Sequence, residues 1–495
     1  MLGWSKTGTL RLNDLGDICR VRLMASLGAR KWFMVTEEDL RSDIRFYFDG
    51  QVRILDDVRA TDMVMPWLRS EAMRTGTKEG CNEGDCGACT CLVGSISESG
   101  NLQFSVINTC IYPLAYLDGA WLISVETLSR SGSLCSAQSG MLPLNASQCG
   151  FCTPGFVMAM VYAQITKKDQ TPEQALAGNL CRCTGYGGLI EATRIAQSQP
   201  LDRAFVDEIE GATTVLRQLS RGGFSIINHN SRIDAPKTLE NLLDLRKNFS
   251  SATLVSGATD FGLWITKRLD RPSHVILTKF CEQLLLREIR SDIIEIGAAV
   301  TIEDLENSLV SEYPELQEWF QRFGGPQVRC SGTLGGNIAN GSPIGDSAPV
   351  LIALGASLTI HSCRGRRVIP IENFFIEYGK QDLLRDEVLV SILIPRRTHI
   401  RRLAVEKISK RYDQDISIVL AAMAEISGDK PSYRFAFGGM AGTPKLAEKT
   451  MESLNPDDLT SDFTPLSDHR AEAWYRLAVS KNLVRDFLDG DTSRE

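Results

Sequence analysis

The chain has 495 residues, of which 43% are hydrophobic and 23% charged, and its formal net charge at pH 7 is −7. This composition is that of ordinary globular proteins and excludes wholesale disorder and collagen-like or low-complexity architecture. The negative charge disfavours a coat-like nucleic-acid binder, which needs positive surface to bind phosphate. At about 150 residues per domain, the length favours about three domains.

The cysteines are unusually many and unevenly placed. There are 14 cysteines against five histidines, and ten of them lie between Cys81 and Cys183. No secretory signal and no run of about 20 apolar residues is visible, which disfavours a secreted disulfide scaffold and a membrane-spanning protein. Clustered cysteines in a cytoplasmic protein indicate metal or redox sites.

The chain begins with a predicted basic extension, residues 1–43. Its first 33 residues carry six Lys or Arg against two acidic residues, Asp14 and Asp17. One interpretation is a targeting or regulatory arm. The other is an upstream start codon, with the natural protein beginning at Met34.

Residues 44–125 predict a small β-rich domain. Alternating apolar residues flank Asp49-Gly50, which is typical of a type I′ hairpin. A helix is predicted over Met63–Arg74, a Gly- and Cys-rich loop follows over residues 80–91, and strands are predicted near residues 90–95 and 103–108.

A first set of four cysteines lies in this domain. Cys81-x₄-Cys86-x₂-Cys89 followed by Cys110 is the plant-type ferredoxin spacing, which supplies four thiolates to a 2Fe–2S cluster. The flanking Gly80, Gly84 and Gly87 would let the loop curl tightly around the cluster. The alternative is a zinc ribbon, although zinc ribbons prefer paired CxxC knuckles. Cys91 is a spare cysteine that we expect to pack as a small hydrophobe.

A second set follows in a predicted helical domain, residues 126–200. Cys149-x₂-Cys152 precedes a helix that Thr153-Pro154 would start, and Cys181-x-Cys183 follows a helix that Thr171-Pro172-Glu173-Gln174 would cap. Another helix is predicted from about Gly188 to Gln197. These four thiolates suit a second redox cluster, and zinc remains open. Residues 201–221 are predicted to be a linker with some helical content.

The remainder predicts two mixed α/β domains, 222–395 and 396–495. Leu254–Gly262 (LVSGATDFG) is a strand running into a Gly-containing turn, and Ser331–Asn337 with Ser342–Asp346 supplies further Gly-rich turns. Such turns expose backbone N–H groups to phosphate, so a pyrophosphate could lie between them. The alternative is a pair of tight loops without a ligand.

Three motifs together resemble the molybdenum hydroxylase family, and within it the xanthine dehydrogenases. They are GCNEGDCGACT (80–90), QCGFCTPG (148–155) and CRCTGY (181–186), and the resemblance covers about residues 44–495. It implies an α+β multidomain protein with a β-grasp 2Fe–2S ferredoxin domain, a four-helix 2Fe–2S domain, a two-lobed α/β FAD-binding domain and an α/β C-terminal domain. It also implies that the second cluster faces a molybdopterin and that Gln148 contacts the pterin; otherwise Gln148 is an ordinary polar loop residue.

The resemblance further implies a set of flavin and acceptor contacts. Asp260 stands where the family often has Glu. Tyr378 would border an NAD site, or is a plain surface or packing residue. Arg411 and Asp415 carry the charges that the family has near the flavin. Tyr412 and Gln414 stand where animal enzymes of the family carry charged residues, so the choice between NAD⁺ and oxygen as acceptor stays open. The implied FAD contacts are Leu254, Val255, Gly257, Ala258, Thr259, Asp260, Phe323, Thr333, Gly336, Asn337, Asp346, Leu389 and Lys407.

The expected role is electron transfer. The family's molybdenum-binding domain has no counterpart in these residues, so the chain resembles the small subunit of a two-chain xanthine dehydrogenase, with hypoxanthine and xanthine oxidised on a large partner. It would pass electrons through two 2Fe–2S clusters to FAD and NAD⁺, in a heterotetramer of two small and two large chains, with no catalytic side chain of its own. The alternatives are the same role toward another heterocycle or an aldehyde, and a non-enzymatic zinc-binding scaffold.

Overall fold

Residues 40–97, 99–129, 132–166, 170–228, 230–428 and 431–490 are described by the structure, a computed structural model. The predicted N-terminal extension therefore lies outside the described residues as far as residue 39. Within the described part of the chain, no helix combines the length and the apolar character needed to cross a membrane.

A five-stranded mixed sheet forms the first domain, with strand order β2-β1-β5-β3-β4. Its first hairpin turns at Asp49 and Gly50, whose φ angles of 52° and 76° are those of the predicted type I′ turn. β1 pairs with β5 in parallel and every other pair is antiparallel. The strands are β1 (Ile44–Phe48), β2 (Gln51–Leu55), β3 (Thr90–Ile96), β4 (Leu102–Asn108) and β5 (Trp121–Ile123).

The helix predicted over Met63–Arg74 is shorter than expected. Regular helix is limited to α1 (Val64–Pro66), which widens into a single looser turn over Trp67–Glu71. Met73 then takes a positive φ of 55°, which ends the helical backbone.

Four helices form the second domain. Almost every residue of the central helix is buried, which is why its sequence is apolar on all sides. The predicted capping box is present, because Gln174 N donates to Thr171 Oγ1 at 3.3 Å and Thr171 N to Gln174 Oε1 at 2.9 Å. The helices are α2 (Ser136–Met141), α3 (Thr153–Thr166), α4 (Pro172–Leu176) and α5 (Gly187–Ser198).

The segment predicted as a linker holds a full helix, α6 (Arg203–Leu216). Its Phe205, Ala212 and Leu216 join the apolar core that the helical domain shares with the first sheet. The Phe205 ring lies 6.0 Å from that of Trp121 in β5. This helix therefore packs as part of the first two domains.

Arg41 ties the beginning of the described chain to the third domain. Its guanidinium bonds the fully buried carboxylate of Asp118 at 2.8 Å and the carbonyl of Gly222 at 3.0 Å. The backbone of Arg41 also pairs with that of Phe224 in an isolated parallel β-bridge. The predicted extension thus includes a residue that belongs to the folded core.

Two lobes form the third domain. The first is a four-stranded sheet of order β6-β7-β9-β8, and the second a five-stranded sheet of order β10-β11-β16-β12-β13, with β14 and β15 as a separate hairpin. The first lobe comprises β6 (Phe224–Asn228), β7 (Ser231–Ala235), α7 (Leu239–Asn248), β8 (Thr253–Val255), α8 (Thr259–Thr266) and β9 (His274–Leu277).

The second lobe carries most of the helices of this domain. It comprises β10 (Arg287–Ile289), β11 (Ile293–Gly297), α9 (Ile302–Leu309), α10 (Gln317–Gln321), α11 (Pro326–Arg329), α12 (Leu334–Asn340), α13 (Ser347–Ala353), β12 (Ser357–Ser362), β13 (Gly365–Pro370), β14 (Phe375–Glu377), β15 (Lys380–Gln381) and β16 (Val388–Pro395).

An antiparallel sheet with helices on one side forms the C-terminal domain. Phe435 and Phe437 of the sheet pack against Leu483 and Phe487 of the last helix. The elements are β17 (Ile400–Ile408), β18 (Val419–Ile426), β19 (Ser432–Gly438), β20 (Lys445–Leu446), α14 (Glu448–Ser453), α15 (Leu459–Asp462) and α16 (Ala473–Asp489).

Candidate cofactor sites

The first cysteine site comprises Cys81, Cys86, Cys89 and Cys110. The sulfurs of Cys89 and Cys110 lie 3.4 Å apart. The Cys86 N–H donates to the Cys81 sulfur at 3.3 Å, and hydrogen bonds from Cys110 and Cys86 lower the pKa of the Cys81 thiol. Cys89 and Cys110 are buried, and Cys81 and Cys86 are half-buried. The fold therefore brings the four predicted thiols together.

The loop around this site is shaped by its glycines. Gly84 and Gly87 have φ angles of 78° and 66°, as the predicted tight curl requires. Gly80 has a different role, because a Cβ there would lie 2.7 Å from the Cys86 sulfur. The backbone N–H groups of Asp85 and Cys86 point at the Cys81 sulfur at 3.4 and 3.3 Å, a contact that favours a thiolate.

Cys91 lies outside this site, in the core of the first sheet. It is fully buried and its sulfur lies 3.5 Å from Thr77 Oγ1. Burial raises the pKa of its thiol, so it stays neutral, as expected of a small apolar residue.

The second cysteine site comprises Cys149, Cys152, Cys181 and Cys183. The sulfurs of Cys149 and Cys183 lie 3.6 Å apart. Burial and then a hydrogen bond with Cys181 raise the pKa of the Cys152 thiol to about 12. Cys149 and Cys183 are exposed, while Cys152 and Cys181 are half-buried. The site thus opens onto the protein surface.

In each site, one pair of sulfurs lies at a distance that suits two ligands on the same metal ion. Two sulfurs on one tetrahedral metal lie about 3.8 Å apart for metal–sulfur bonds of about 2.3 Å, close to the measured 3.4 and 3.6 Å. Within the described ranges, no three His, Cys, Asp or Glu side chains surround a point that could hold one metal ion. A two-iron cluster takes two ligands per iron, so the residues present fit a 2Fe–2S cluster at each site.

The two cysteine sites are in backbone contact. Leu180 N, next to Cys181, donates to the carbonyl of Cys86 at 3.0 Å. A Cβ on Gly155 of α3 would lie 2.2 Å from the carbonyl of Gly87. The loop of the first site therefore lies directly against the helix start and the loop of the second.

A cavity between the two lobes of the third domain is lined by most of the predicted flavin contacts. It is also lined by Trp264, Thr278, Val328 and Leu383, which the sequence did not single out because they lie outside the Gly-rich turns. The predicted residues in its lining are Leu254, Val255, Gly257, Ala258, Thr259, Asp260, Phe323, Thr333, Gly336, Asn337 and Leu389.

Two Gly-rich turns meet at this cavity. A Cβ on Gly257 would lie 2.5 Å from Ser331 O and 2.8 Å from Thr333 N, so the two backbones touch. Ala258 takes a left-handed φ of 62°, after which α8 begins. Thr333 Oγ1 caps α12 by accepting from Gly336 N at 3.2 Å. Two helix starts at one cavity suit a pyrophosphate, the group predicted there.

Two predicted acidic contacts differ in their surroundings. Asp260 lines the cavity, and burial raises the pKa of its carboxyl. The carboxylate of Asp346 instead bonds Lys407 Nζ at 2.6 Å and Ser417 Oγ at 2.6 Å. Lys407 also donates to the carbonyl of Arg322, next to Phe323, at 2.9 Å. Asp346 and Lys407 thus form a buried ion pair, and neither is among the residues that line the cavity.

Tyr378 and Gln148 are both on the surface. Tyr378 is 76% exposed at the tip of the β14–β15 hairpin, which rules out the packing interpretation. Gln381 of this hairpin donates to the carbonyl of Asn340, a cavity residue, at 3.4 Å. Gln148 is exposed beside Cys149.

The loop that follows β17, residues 409–416, contacts both the third domain and the helical domain. Arg411 N donates to Asp415 Oδ2 at 2.8 Å, so these two charges form one turn. The Tyr412 ring lies beneath the Arg322 guanidinium at 4.7 Å. Gln414 has a positive φ of 49° and donates to the carbonyl of Ala177 in the helical domain.

Helix α8 connects the cavity to the first cysteine site. It begins at the cavity with Thr259, and its Leu263 packs with Cys89, Cys110 and Ile111. A Cβ on Gly262 would lie 2.5 Å from the Ile111 Cβ, so the contact is close. Lys267, beyond the end of the helix, donates to the carbonyl of Cys81 at 2.7 Å.

Three family models match this chain. An FAD binding domain of molybdopterin dehydrogenase matches residues 229–397, a [2Fe-2S] binding domain matches residues 124–194, and a CO dehydrogenase flavoprotein C-terminal domain matches residues 405–461. The chain therefore carries iron–sulfur and FAD-binding domains. The second match favours iron over zinc at the second cysteine site, a choice that the sequence motifs left open.

Similar proteins include several xanthine dehydrogenases. Xanthine dehydrogenase 1 of Arabidopsis thaliana is 30% identical over 82% of this chain and 36% of that protein. The xanthine dehydrogenase of Drosophila pseudoobscura pseudoobscura is 31% identical over 83% of this chain and 35% of that protein. The chain spans about a third of the length of these relatives.

Among solved structures, a carbon monoxide dehydrogenase from Hydrogenophaga pseudoflava is similar. Its TM-score is 0.49 at 27% identity, and the match covers 53% of this chain and 97% of that one.

Proposed function

We propose, from the premise that this chain belongs to the molybdenum hydroxylases as an iron–sulfur and FAD component, that it is the electron-transfer subunit of a xanthine dehydrogenase. It receives electrons from a molybdenum-cofactor partner that oxidises hypoxanthine and xanthine to urate, and it reduces NAD⁺. The proposed ligands are the eight cysteines of the two sites, and the proposed FAD contacts are the predicted residues of the cavity.

The observation that carries this proposal is an unbroken series of contacts. The exposed second cysteine site touches the first through Leu180 and Cys86, and the first touches the FAD cavity through α8 and Leu263. When bound, iron–sulfur clusters carry single electrons and the flavin converts them to hydride transfer. The residues of this chain hold and insulate these groups, and we assign no nucleophile or general acid to it.

The surface around the second cysteine site supports a partner. Phe151, between Cys149 and Cys152, is 47% exposed, and Leu180 is 41% exposed. Apolar side chains beside exposed ligands suit a protein interface. We propose that the molybdenum-cofactor partner covers this face, with Gln148 toward the pterin, in an assembly of two small and two large chains.

The acceptor side of the proposal depends on Tyr378. The Tyr378 ring is exposed on a hairpin that bonds Asn340 of the cavity, and such a ring suits stacking on a nicotinamide or adenine ring. We therefore propose NAD⁺ as the acceptor and a cytoplasmic location, where NAD⁺ is supplied. Tyr412 and Gln414 stand where animal enzymes of the family carry charged residues. They therefore also affect the choice between NAD⁺ and oxygen as acceptor.

Co-purification with the native partner tests the proposal. We expect about four iron atoms and one FAD per chain, molybdenum on a larger chain, and NADH formation with xanthine. The small chain alone should oxidise NADH with an artificial dye, because that reaction needs only the flavin side. If the protein contains zinc but no iron or flavin, the scaffold interpretation remains. If the dye is reduced without NADH, the proposal that NAD⁺ is the acceptor is contradicted.

A second candidate is the same role beside a partner that oxidises another heterocycle or an aldehyde. The relatives are about 30% identical and matched over about a third of their length, so a second substrate class is a separate proposal. A substrate panel on the co-purified complex separates the two, because only the xanthine proposal expects hypoxanthine and xanthine to be the best substrates.

A further inference from the structure

Three buried polar side chains meet where the three cofactor-bearing domains join. Thr90 lies in the first domain, Asn179 in the helical domain and Gln327 in the FAD domain, and they are 1%, 3% and 2% exposed. Gln327 Nε2 donates to Thr90 Oγ1 at 3.0 Å and to Asn179 Oδ1 at 2.9 Å. Asn179 Nδ2 in turn lies 3.2 Å from Thr90 Oγ1. We call Thr90, Asn179 and Gln327 the junction triad.

The junction triad is hydrogen-bonded to the loop of the first cysteine site. Asn179 Nδ2 donates to the carbonyl of Gly87 at 2.9 Å, and Thr90 Oγ1 donates to the same oxygen at 2.6 Å. Gly87 lies between the ligands Cys86 and Cys89, and Asn179 lies two residues before Cys181. The network therefore connects the ligand loops of both sites.

Glycines bring the backbones of the junction into direct contact. A Cβ on Gly87 would lie 2.2 Å from the carbonyl of Gly178, and one on Gly178 would lie 1.7 Å from Gln327 Oε1. Any added side chain would separate the two loops. Such a close approach positions the hydrogen bond from Leu180 N to Cys86 O, at 3.0 Å.

We propose that the junction triad is a positioning device that holds the two cysteine loops at a fixed distance, with the Leu180–Cys86 hydrogen bond as their coupling contact. The inference rests on the proposed function, because it assigns that contact to electron transfer between the two sites. One electron crosses at a time, and the electron lost at one site is gained at the other. No covalent bond forms or breaks and no proton moves.

Gln327 is the member best suited to positioning. It comes from the FAD domain, binds no cysteine ligand, and yet supplies both hydrogen bonds that close the network. Without it, the oxygens of Thr90 and Asn179 lose a buried donor, and the loops can shift apart to recover hydrogen bonds. A residue that served stability alone would not alter the distance between the sites.

The test compares Gln327→Leu with Gln164→Leu in the purified complex. Gln164 is a matched control, because it is 3% exposed and donates to Ser136 Oγ and to the carbonyls of Gln199 and Pro200, inside the helical domain and away from the ligand loops. The readout is the magnetic interaction between the two reduced centres in electron paramagnetic resonance, which falls with the cube of their distance, together with thermal stability.

We expect both variants to lower the melting temperature, and only Gln327→Leu to lose the magnetic splitting while each signal keeps its full integrated intensity. Thr90→Val, which keeps the shape of the side chain and removes the shared hydroxyl, should change the splitting in the same direction if Gln327→Leu does not fold. An unchanged splitting in the folded variants overturns the inference and leaves the proposed function standing. A native complex with no iron–sulfur signal overturns both.

Discussion

The two cysteine sites each contain four thiols, but their surroundings differ. In the first site, Cys89 and Cys110 are buried against Ile111 and Leu263, where the first domain meets α8 of the FAD domain. In the second, Cys149 and Cys183 are exposed beside the exposed Phe151. The other two ligands of each site are half-buried, so the sites differ in one pair of cysteines each. The exposed pair can meet a partner chain, whereas the buried pair contacts only residues of this chain. Surroundings, rather than ligands, distinguish the two roles.

The largest expected effect comes from replacing an exposed ligand. Cys149→Ser should abolish xanthine-dependent NAD⁺ reduction by the complex, a loss of at least about 100-fold, because electrons would no longer enter at the surface site. FAD content and NADH oxidation by dye should stay unchanged, since they depend on the cavity. Cys363→Ser, outside both sites, is the control. Unchanged xanthine turnover in the Cys149 variant would contradict the assignment of the entrance.

Iron removal should separate the two sites by exposure. A chelator with mild reductant should take about half of the iron first, because solvent reaches Cys149 and Cys183 but not Cys89 and Cys110. Iron release followed together with the two resonance signals measures this. Simultaneous loss of both signals would mean that the difference in burial has no kinetic consequence.

A matched pair of glycines should show how tightly the buried site is packed. Gly87 and Gly185 have φ angles of 66° and 67°, but a Cβ on Gly87 would meet the carbonyl of Gly178, while one on Gly185 would meet nothing within 4 Å. Gly185→Ala should cost about 1–2 kcal/mol of backbone strain. Gly87→Ala should cost about 2–5 kcal/mol, since overpacking adds to the strain. Thermal unfolding of the holoprotein measures both, and equal losses would refute the packing argument.

The smallest expected effect concerns the charged contact at the first site. Lys267 bonds the carbonyl of Cys81 and lies 3.1 Å from the half-exposed Glu83. Lys267→Met should lower the reduction potential of the first site slightly, because a nearby positive charge is removed. The free energy of unfolding should change by only about 0–1 kcal/mol. Redox titration is the measurement, with Lys247→Met on α7 as control; a change in the potential of the second site alone would contradict the placement.

Much of the local structure could be predicted from the sequence. The turn at Asp49-Gly50, the capping box at Thr171 and the left-handed Gly84 and Gly87 are encoded by neighbouring residues, and each is present. The predicted extent of the helix over Met63–Arg74 was wrong, because Met73 leaves the helical backbone. For the linker, the sequence predicted only some helical content. The full extent of α6 could not be predicted, because its apolar residues pack against Trp121 and the helical core, which are distant in the chain.

The candidate sites divide in the same way. Seven of the eight cysteines and the two Gly-rich turns stand in short motifs, Cys110 follows by its spacing, and the fold brings them together. The ion pair of Asp346 with Lys407 and its hydrogen bond with Ser417 could not be predicted from the sequence, because these partners lie 61 and 71 residues away in the chain. Asn179 could have been noticed two residues before a cysteine ligand, whereas nothing near Gln327 in the sequence marks it.

The sequence by itself determined the donor chemistry of this protein: four thiols in each of two spacings, and glycines where a loop must curl or a phosphate approach. These properties depend on residues that are close in the chain. Only the tertiary structure decided which cysteine site is buried, how α8 connects it to the cavity, and that Thr90, Asn179 and Gln327 meet at one point. Burial and contact between domains depend on residues up to 237 positions apart, and no local pattern carries that information.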